Sequence, residues 1–240
     1  MKTMSAMRSG RCAAAAALLT LGALCPAAAD DAPGDCFGVD FDRQHPVAIG
    51  KITAAKPRVY FVKSISDNAA CPADTESCQE TAYLIPGNLV MLGKKNGAYA
   101  CVSYESAQAK TPRWTNGWLP GLSLSPVAPA PAPARADWNG DWRHASGAIT
   151  IANGANGTLT IHGEAFYQAA QDVHTGVIDA RAKPVRGLLE FADDGSVVFD
   201  KASADSCLVR MQRVEAFLVV EDNGNCGGAL VTFTGFYRRK

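Results

Sequence analysis

The sequence predicts an all-β protein made of two small, disulfide-stapled modules, and three observations carry that expectation. Apolar and polar residues alternate with period two in run after run, the pattern of strands buried on one face. Asn-Gly recurs at Asn96, Asn116, Asn139, Asn153, Asn156 and Asn223, and Asp194-Gly195 adds a related pair. These dipeptides tolerate the positive φ that tight hairpin turns demand. Between the two modules, alternating Pro and Ala over Ser125–Arg135 favour an extended spacer that cannot bury enough surface to pack.

The chain opens with a tripartite leader over residues 1–29. Lys2, Arg8 and Arg11 precede the apolar run Ala13–Leu24, and Ala27-Ala28-Ala29 offers small residues for cleavage before Asp30. The run is too short to remain as a spanning helix. Leu24 before Cys25 does not suit lipidation, so no stable membrane anchor is expected. The product is then periplasmic or secreted. Of 23 basic and 23 acidic residues, the leader removes three basic ones, leaving 20 against 23. That balance offers no basic patch for nucleic acid. The final Arg238-Arg239-Lys240 reads as a solvated tail.

Six cysteines remain: Cys36, Cys71, Cys78, Cys101, Cys207 and Cys226. An even number in an oxidising compartment reads as three disulfides. No CxxC pair occurs and no histidine sits at ligand spacing, so no metal and no cofactor is expected.

In the first module, residues 30–125, strands are predicted at Arg58–Lys63, Thr81–Ile85, Leu89–Leu92, Ala98–Tyr104 and Gly117–Leu119, with turns at Pro86-Gly87 and Asn96-Gly97. Cys71 and Cys78 bracket a short polar loop and can form a local staple, leaving Cys101 to Cys36. The pairings Cys36–Cys71 with Cys78–Cys101, and Cys36–Cys78 with Cys71–Cys101, stay open.

The stretch "AYLIPGNLVMLGKKNGAYACVSY" followed by "TNGWLPGLSL" resembles a bacterial SH3-like domain over about Ile52–Leu124. The resemblance implies a small barrel that holds an extended peptide between aromatic rings. Tyr60, Tyr83, Tyr99, Tyr104, Trp114 and Trp118 are the rings available. Trp118, inside Gly-Trp-Leu-Pro, is expected in the core. Tyr60, Tyr99, Tyr104 and Trp114 are carried as ligand-binding candidates, for a cell-wall peptide or another envelope protein.

Past the linker at 126–136, the module 137–240 alternates more cleanly. Leu159, Ile161, Ala165 and Tyr167 share one face of Thr158–Tyr167, and Val231, Phe233 and Tyr237 share one face of Val231–Tyr237. Further strands fit Ala148–Ala152, Val177–Ala182, Leu188–Ala192, Ser196–Asp200, Cys207–Gln212 and Phe217–Glu221. Roughly eight strands can close an up-and-down antiparallel barrel. Cys207 and Cys226 are the only cysteines here and should pair.

The opening "WNGDW" resembles the start of lipocalin-like barrels. The wider pattern through "CGGALVTFTGFYRR" resembles lysozyme-inhibitor-like envelope domains, which implies a partner such as a lysozyme. The inhibitors' Ser-Gly-x-x-Tyr loop is altered here: Ser146-Gly147 is followed by Ala148, Ile149 and Thr150. Trp138 is placed at the barrel mouth as a further ligand-binding ring. The competing reading puts it in the barrel floor with Trp142.

No nucleophile elbow, phosphate loop or zinc-protease helix occurs. His45, His144, His162 and His174 stand singly, and no pair among Glu164, Asp172, Asp179 and Glu190 is set across a cleft by sequence. Asp193-Asp194-Gly195 reads as a turn. The expected function is therefore non-catalytic: an exported protein that binds a wall component or a wall-degrading enzyme. A small-molecule carrier with an unfilled barrel, and an accessory or neutralising partner of an envelope hydrolase, are the alternatives.

Overall fold

A computed structural model of the chain describes residues 34–106, 114–193 and 198–240. The leader expected over 1–29 and the Asp194-Gly195 turn lie outside the described residues. Residues 31–240 form one compact unit.

The first half is a seven-stranded sheet. Its strands are β1 (Ala48–Ile52), β2 (Val59–Val62), β3 (Gln79–Leu84), β4 (Leu89–Asn96), β5 (Tyr99–Glu105), β6 (Trp114–Pro120) and β7 (Leu124–Val127), in the order β3-β2-β6-β5-β4-β1-β7. Turns at Gly87 (φ 92°) and Gly97 (φ 55°) use the positive φ that their dipeptides promised. Alternation missed β1 and β7. The latter reaches into the Pro/Ala segment, where Pro126 faces Gly50 across the ladder. Proline is tolerated there because β7 is an edge strand.

The second half is a nearly closed eight-stranded antiparallel barrel. After a single helical turn, α1 (Arg135–Trp138), come β8 (Gly140–His144), β9 (Gly147–Asn153), β10 (Leu159–Gln168), β11 (Val173–Ala182), β12 (Leu188–Ala192), β13 (Leu208–Val214), β14 (Phe217–Asp222) and β15 (Gly235–Arg239). The strand order is β11-β10-β9-β8-β15-β14-β13-β12.

Two strands differ from expectation. Of the strand expected over Ser196–Asp200, Ser196 and Val197 lie outside the described residues, and Phe199–Lys201 forms a 3-10 turn. The last strand begins at Gly235 rather than Val231, because Asp222 Oδ1 accepts the N–H groups of Phe233 (3.1 Å) and Thr234 (3.0 Å). Those donors are withdrawn from the ladder. The barrel interior is filled by side chains, among them Trp138, Trp142, Phe233 and Tyr237, all at 0% exposure.

All three disulfides form: Cys36–Cys101, Cys71–Cys78 and Cys207–Cys226. They fit an oxidising, non-cytoplasmic compartment. Each lies on one side of the Pro/Ala segment, yet the two halves pack together. Val47, Ile49, Leu89 and Met91 from the first half share a buried cluster with Val214 and Val219 on the outer face of the barrel.

The N-terminal segment 36–47 reinforces this junction. Cys36 fixes it to β5, while Arg210 on β13 takes its carbonyls in a fork, with Nη1 donating to Asp42 and His45 (both 2.7 Å) and Nη2 to Arg43 (2.5 Å). Val47 donates its N–H to Glu221 Oε2 (2.9 Å) and accepts from Gln212 Nε2 (2.8 Å). The Pro/Ala segment itself is tied down where Ala130 N–H donates to the Arg213 carbonyl (2.8 Å).

Candidate functional site

The junction between the halves brings together a buried acid–base pair and an open cleft. Glu105 closes β5 opposite Trp114, and its carboxylate reaches across to His144 at the end of β8. His144 Nε2 lies against Glu105 Oε1, with side-chain exposures of 1% and 5%. The other ring nitrogen faces the next turn. Ser146 N–H donates to Nδ1 at 3.3 Å, with Ser146 Oγ at 3.1 Å. Phe236 N–H donates to Glu105 Oε2 (3.3 Å), and Tyr237 stacks under the His144 ring at 4.8 Å. Burial pushes the Tyr237 hydroxyl well up, and the carboxylates of Asp222 and Glu105 push in the same direction.

A glycine makes this packing possible. A Cβ at Gly235 would lie 2.5 Å from His144 Nε2 and 3.1 Å from Glu105 Oε2. The backbone of β15 therefore approaches the pair more closely than any side chain would allow.

In front of the pair opens a cleft of about 430 Å³, walled by Tyr104, His144, Phe217 and Phe236 and carrying Arg143 and Arg238. The two arginines are direct partners in the β8–β15 register, and both are exposed. Like charges placed opposite one another across a ladder repel. Arg238 rests its guanidinium on the Phe217 ring, 4.6 Å from the centroid. Burial raises the Tyr104 hydroxyl above its ordinary value, with the Glu105 charge adding to the effect against a hydrogen bond from Ser106. Tyr104 thus presents a protonated donor at the cleft wall. Ser146 is buried at 8% and is not among the lining residues, so its contact with His144 orders the turn rather than presenting a nucleophile to the cleft.

The ring residues singled out in the sequence fall in different places. Tyr104 lines the cleft, and Trp114 is half-buried in the junction cluster beside Phe217 and Phe236. Tyr60 stands apart on β2, 5.6 Å from Tyr83, whose ring carries the Arg58 guanidinium at 4.4 Å. Tyr99 packs on the cluster of Cys36, Cys71, Cys78, Cys101 and Trp118, and burial raises its hydroxyl.

Trp138 is not at an open mouth. It is fully buried, and its carbonyl accepts the Trp142 indole N–H (2.8 Å), because the α1 turn folds it inward over the barrel end. The C-terminal arginines are likewise no solvated tail. Arg238 and Arg239 belong to β15, and Arg239 lies over the Trp142 ring (4.7 Å) and donates to the Asp137 carbonyl (2.6 Å).

Nothing in the sequence singles out Arg143, while His144 reads there as a lone histidine and Arg238 as a tail residue. The outward alternation of Gly-Asp-Trp-Arg-His places Arg143 opposite Trp142 in facing, but the arginine's partner on β15 is 95 positions away, a separation set only by the barrel order.

The fold and cleft define a disulfide-bearing all-β protein with a nearly closed eight-stranded barrel and a second sheet packed on it. No family model matches the chain, and comparison with curated proteins and with solved structures gives no match either.

Proposed function

We propose that the protein is a non-catalytic binding protein of the bacterial envelope, and that its junction cleft holds a cell-wall peptide by a free carboxylate. The observation that carries this reading is the opposed pair Arg143 and Arg238 over the aromatic walls of Tyr104, Phe217 and Phe236. An anion between two facing guanidinium groups relieves their repulsion and is held by charge-assisted, fork-shaped donors. The rings supply apolar area for the rest of the peptide at small entropic cost.

The leader expected from the sequence and the three disulfides support an envelope setting. The filled barrel interior supports a surface ligand over a carried molecule, since Trp138, Trp142, Phe233 and Tyr237 occupy the space a carrier would leave open. Ser146, at the altered inhibitor-type loop, is buried, which favours a wall peptide over occlusion of a lysozyme by that loop.

Co-sedimentation with purified peptidoglycan tests the reading. The protein should pellet with the wall, and the double variant Arg143→Ala/Arg238→Ala should remain in the supernatant. Equal pelleting of both, or of neither, would contradict it.

A further inference from the structure

A second cleft, of about 300 Å³, borders the same junction cluster and has the opposite electrostatic character. Its wall includes Phe37, 62% exposed, and half-buried Trp114, with Asp40 at its edge and Asp222 beneath. None of its lining residues is Lys, Arg or His. A recess of about 30 Å³ adjoins it, sharing Asp40, Met91, Asp222 and Thr234 and adding Glu221. Three carboxylates therefore surround one small space.

Their hydrogen bonding is unequal. Asp222 is 6% exposed, and its Oδ1 accepts from Thr232, Phe233 and Thr234, while Oδ2 has no partner among the described residues. Glu221 Oε2 accepts the Val47 N–H. The Arg210 guanidinium is committed to Glu190 and to the carbonyls of the N-terminal segment. Asp40 has no hydrogen bond or ion pair among the described residues.

A buried carboxylate oxygen without a donor is costly, and a cation bearing N–H groups removes that cost. About 10–15 Å³ suffices for a water-sized group, so the recess has room for a small polar head. Aromatic faces attract cations and shelter an aliphatic stem.

We propose that this cleft is a second binding site, specific for a primary ammonium on an aliphatic stem, such as a diamino-acid side chain. Asp40 and Asp222 supply the counter-charge, and Trp114 and Phe37 hold the stem. The site stands independently of the carboxylate cleft, since the two share no lining residue.

The test is calorimetric titration of the full chain with Nα-acetyl-lysine methylamide, which has an amine and no carboxylate, beside its Nε-acetylated form. The amine should bind saturably and the acetylated form should not. Asp40→Asn, an exposed substitution that leaves the fold intact, should weaken the amine by about tenfold through loss of a charge-assisted contact. Arg143→Ala/Arg238→Ala should leave the amine affinity unchanged, which separates failure of this site from failure of the carboxylate cleft. No saturable binding, equal binding of the acetylated form, or full affinity in Asp40→Asn would each overturn the proposal.

Discussion

Glu221 offers a quantitative check on how the N-terminal segment is fastened to the barrel. The residue is 5% exposed. Burial raises its carboxyl from 4.5 to about 7, outweighing the Val47 N–H and Arg210, which favour the charged form, and helped by the charges of Glu190 and Asp42. In the unfolded chain the group returns to 4.5, so the folded state binds the proton more tightly. The stabilising contribution is then complete below pH 4.5 and is lost as pH rises through 7. Converting the whole gap gives roughly 3 kcal/mol at most. Glu221→Gln keeps an oxygen to accept the Val47 N–H and removes the titration. The variant should match the wild type at pH 4 and exceed it at pH 8 by up to roughly 3 kcal/mol. Urea unfolding across that range, with disulfides intact, measures the difference directly. A difference that does not change with pH, or a variant weaker at pH 8, would refute the burial argument.

Three other outcomes follow from the packing. Gly235→Ala forces a methyl group into the His144–Glu105 contact, where 2.5 Å is available, and should cost about 1–3 kcal/mol in urea unfolding. Arg210→Met leaves Glu190 and the carbonyls of Asp42, Arg43 and His45 without their buried donor, and a loss of about 3–5 kcal/mol is expected from the same assay. Cleavage inside the Pro/Ala segment should give two fragments that part on a non-reducing denaturing gel but co-elute in native gel filtration. No disulfide crosses the cut, while the shared cluster and the N-terminal segment hold the halves.

The strand alternation was legible because each sheet has one face turned to its own core, and the local turns declared themselves through Asn-Gly. Strand β13 shows where that logic stops. Its inward residues Val209 and Met211 fill the barrel, as period two requires. Arg210 and Gln212 alternate outward and read as solvent-facing, yet they are 2% exposed because the N-terminal segment lies across them. Their partners on the N-terminal segment are 165 or more positions away in sequence, and nothing local to β13 announces them.

The cleft was hidden for the same reason. Glu105 and His144 are unremarkable at the ends of their own strands, and only the docking of sheet on barrel joins them. Trp138 misled differently. A ring beside Asn139-Gly140 reads as loop-borne, but the α1 turn aims it into the core. The disulfide pairing was legible for Cys207–Cys226 by count, and the short loop between Cys71 and Cys78 favoured the observed pairing of the other four, whose two alternatives are closed only by the register of β5 beside the N-terminal segment.

Titration of the protein with a wall-derived peptide, in free-carboxylate and C-terminally amidated forms, tests the central claim most directly. The free acid should bind, and amidation or Arg143→Ala/Arg238→Ala should each weaken binding by at least about tenfold, as expected when charge-assisted contacts to a carboxylate are lost. Equal affinity for acid and amide, with the arginine variant binding as tightly as wild type, would contradict it.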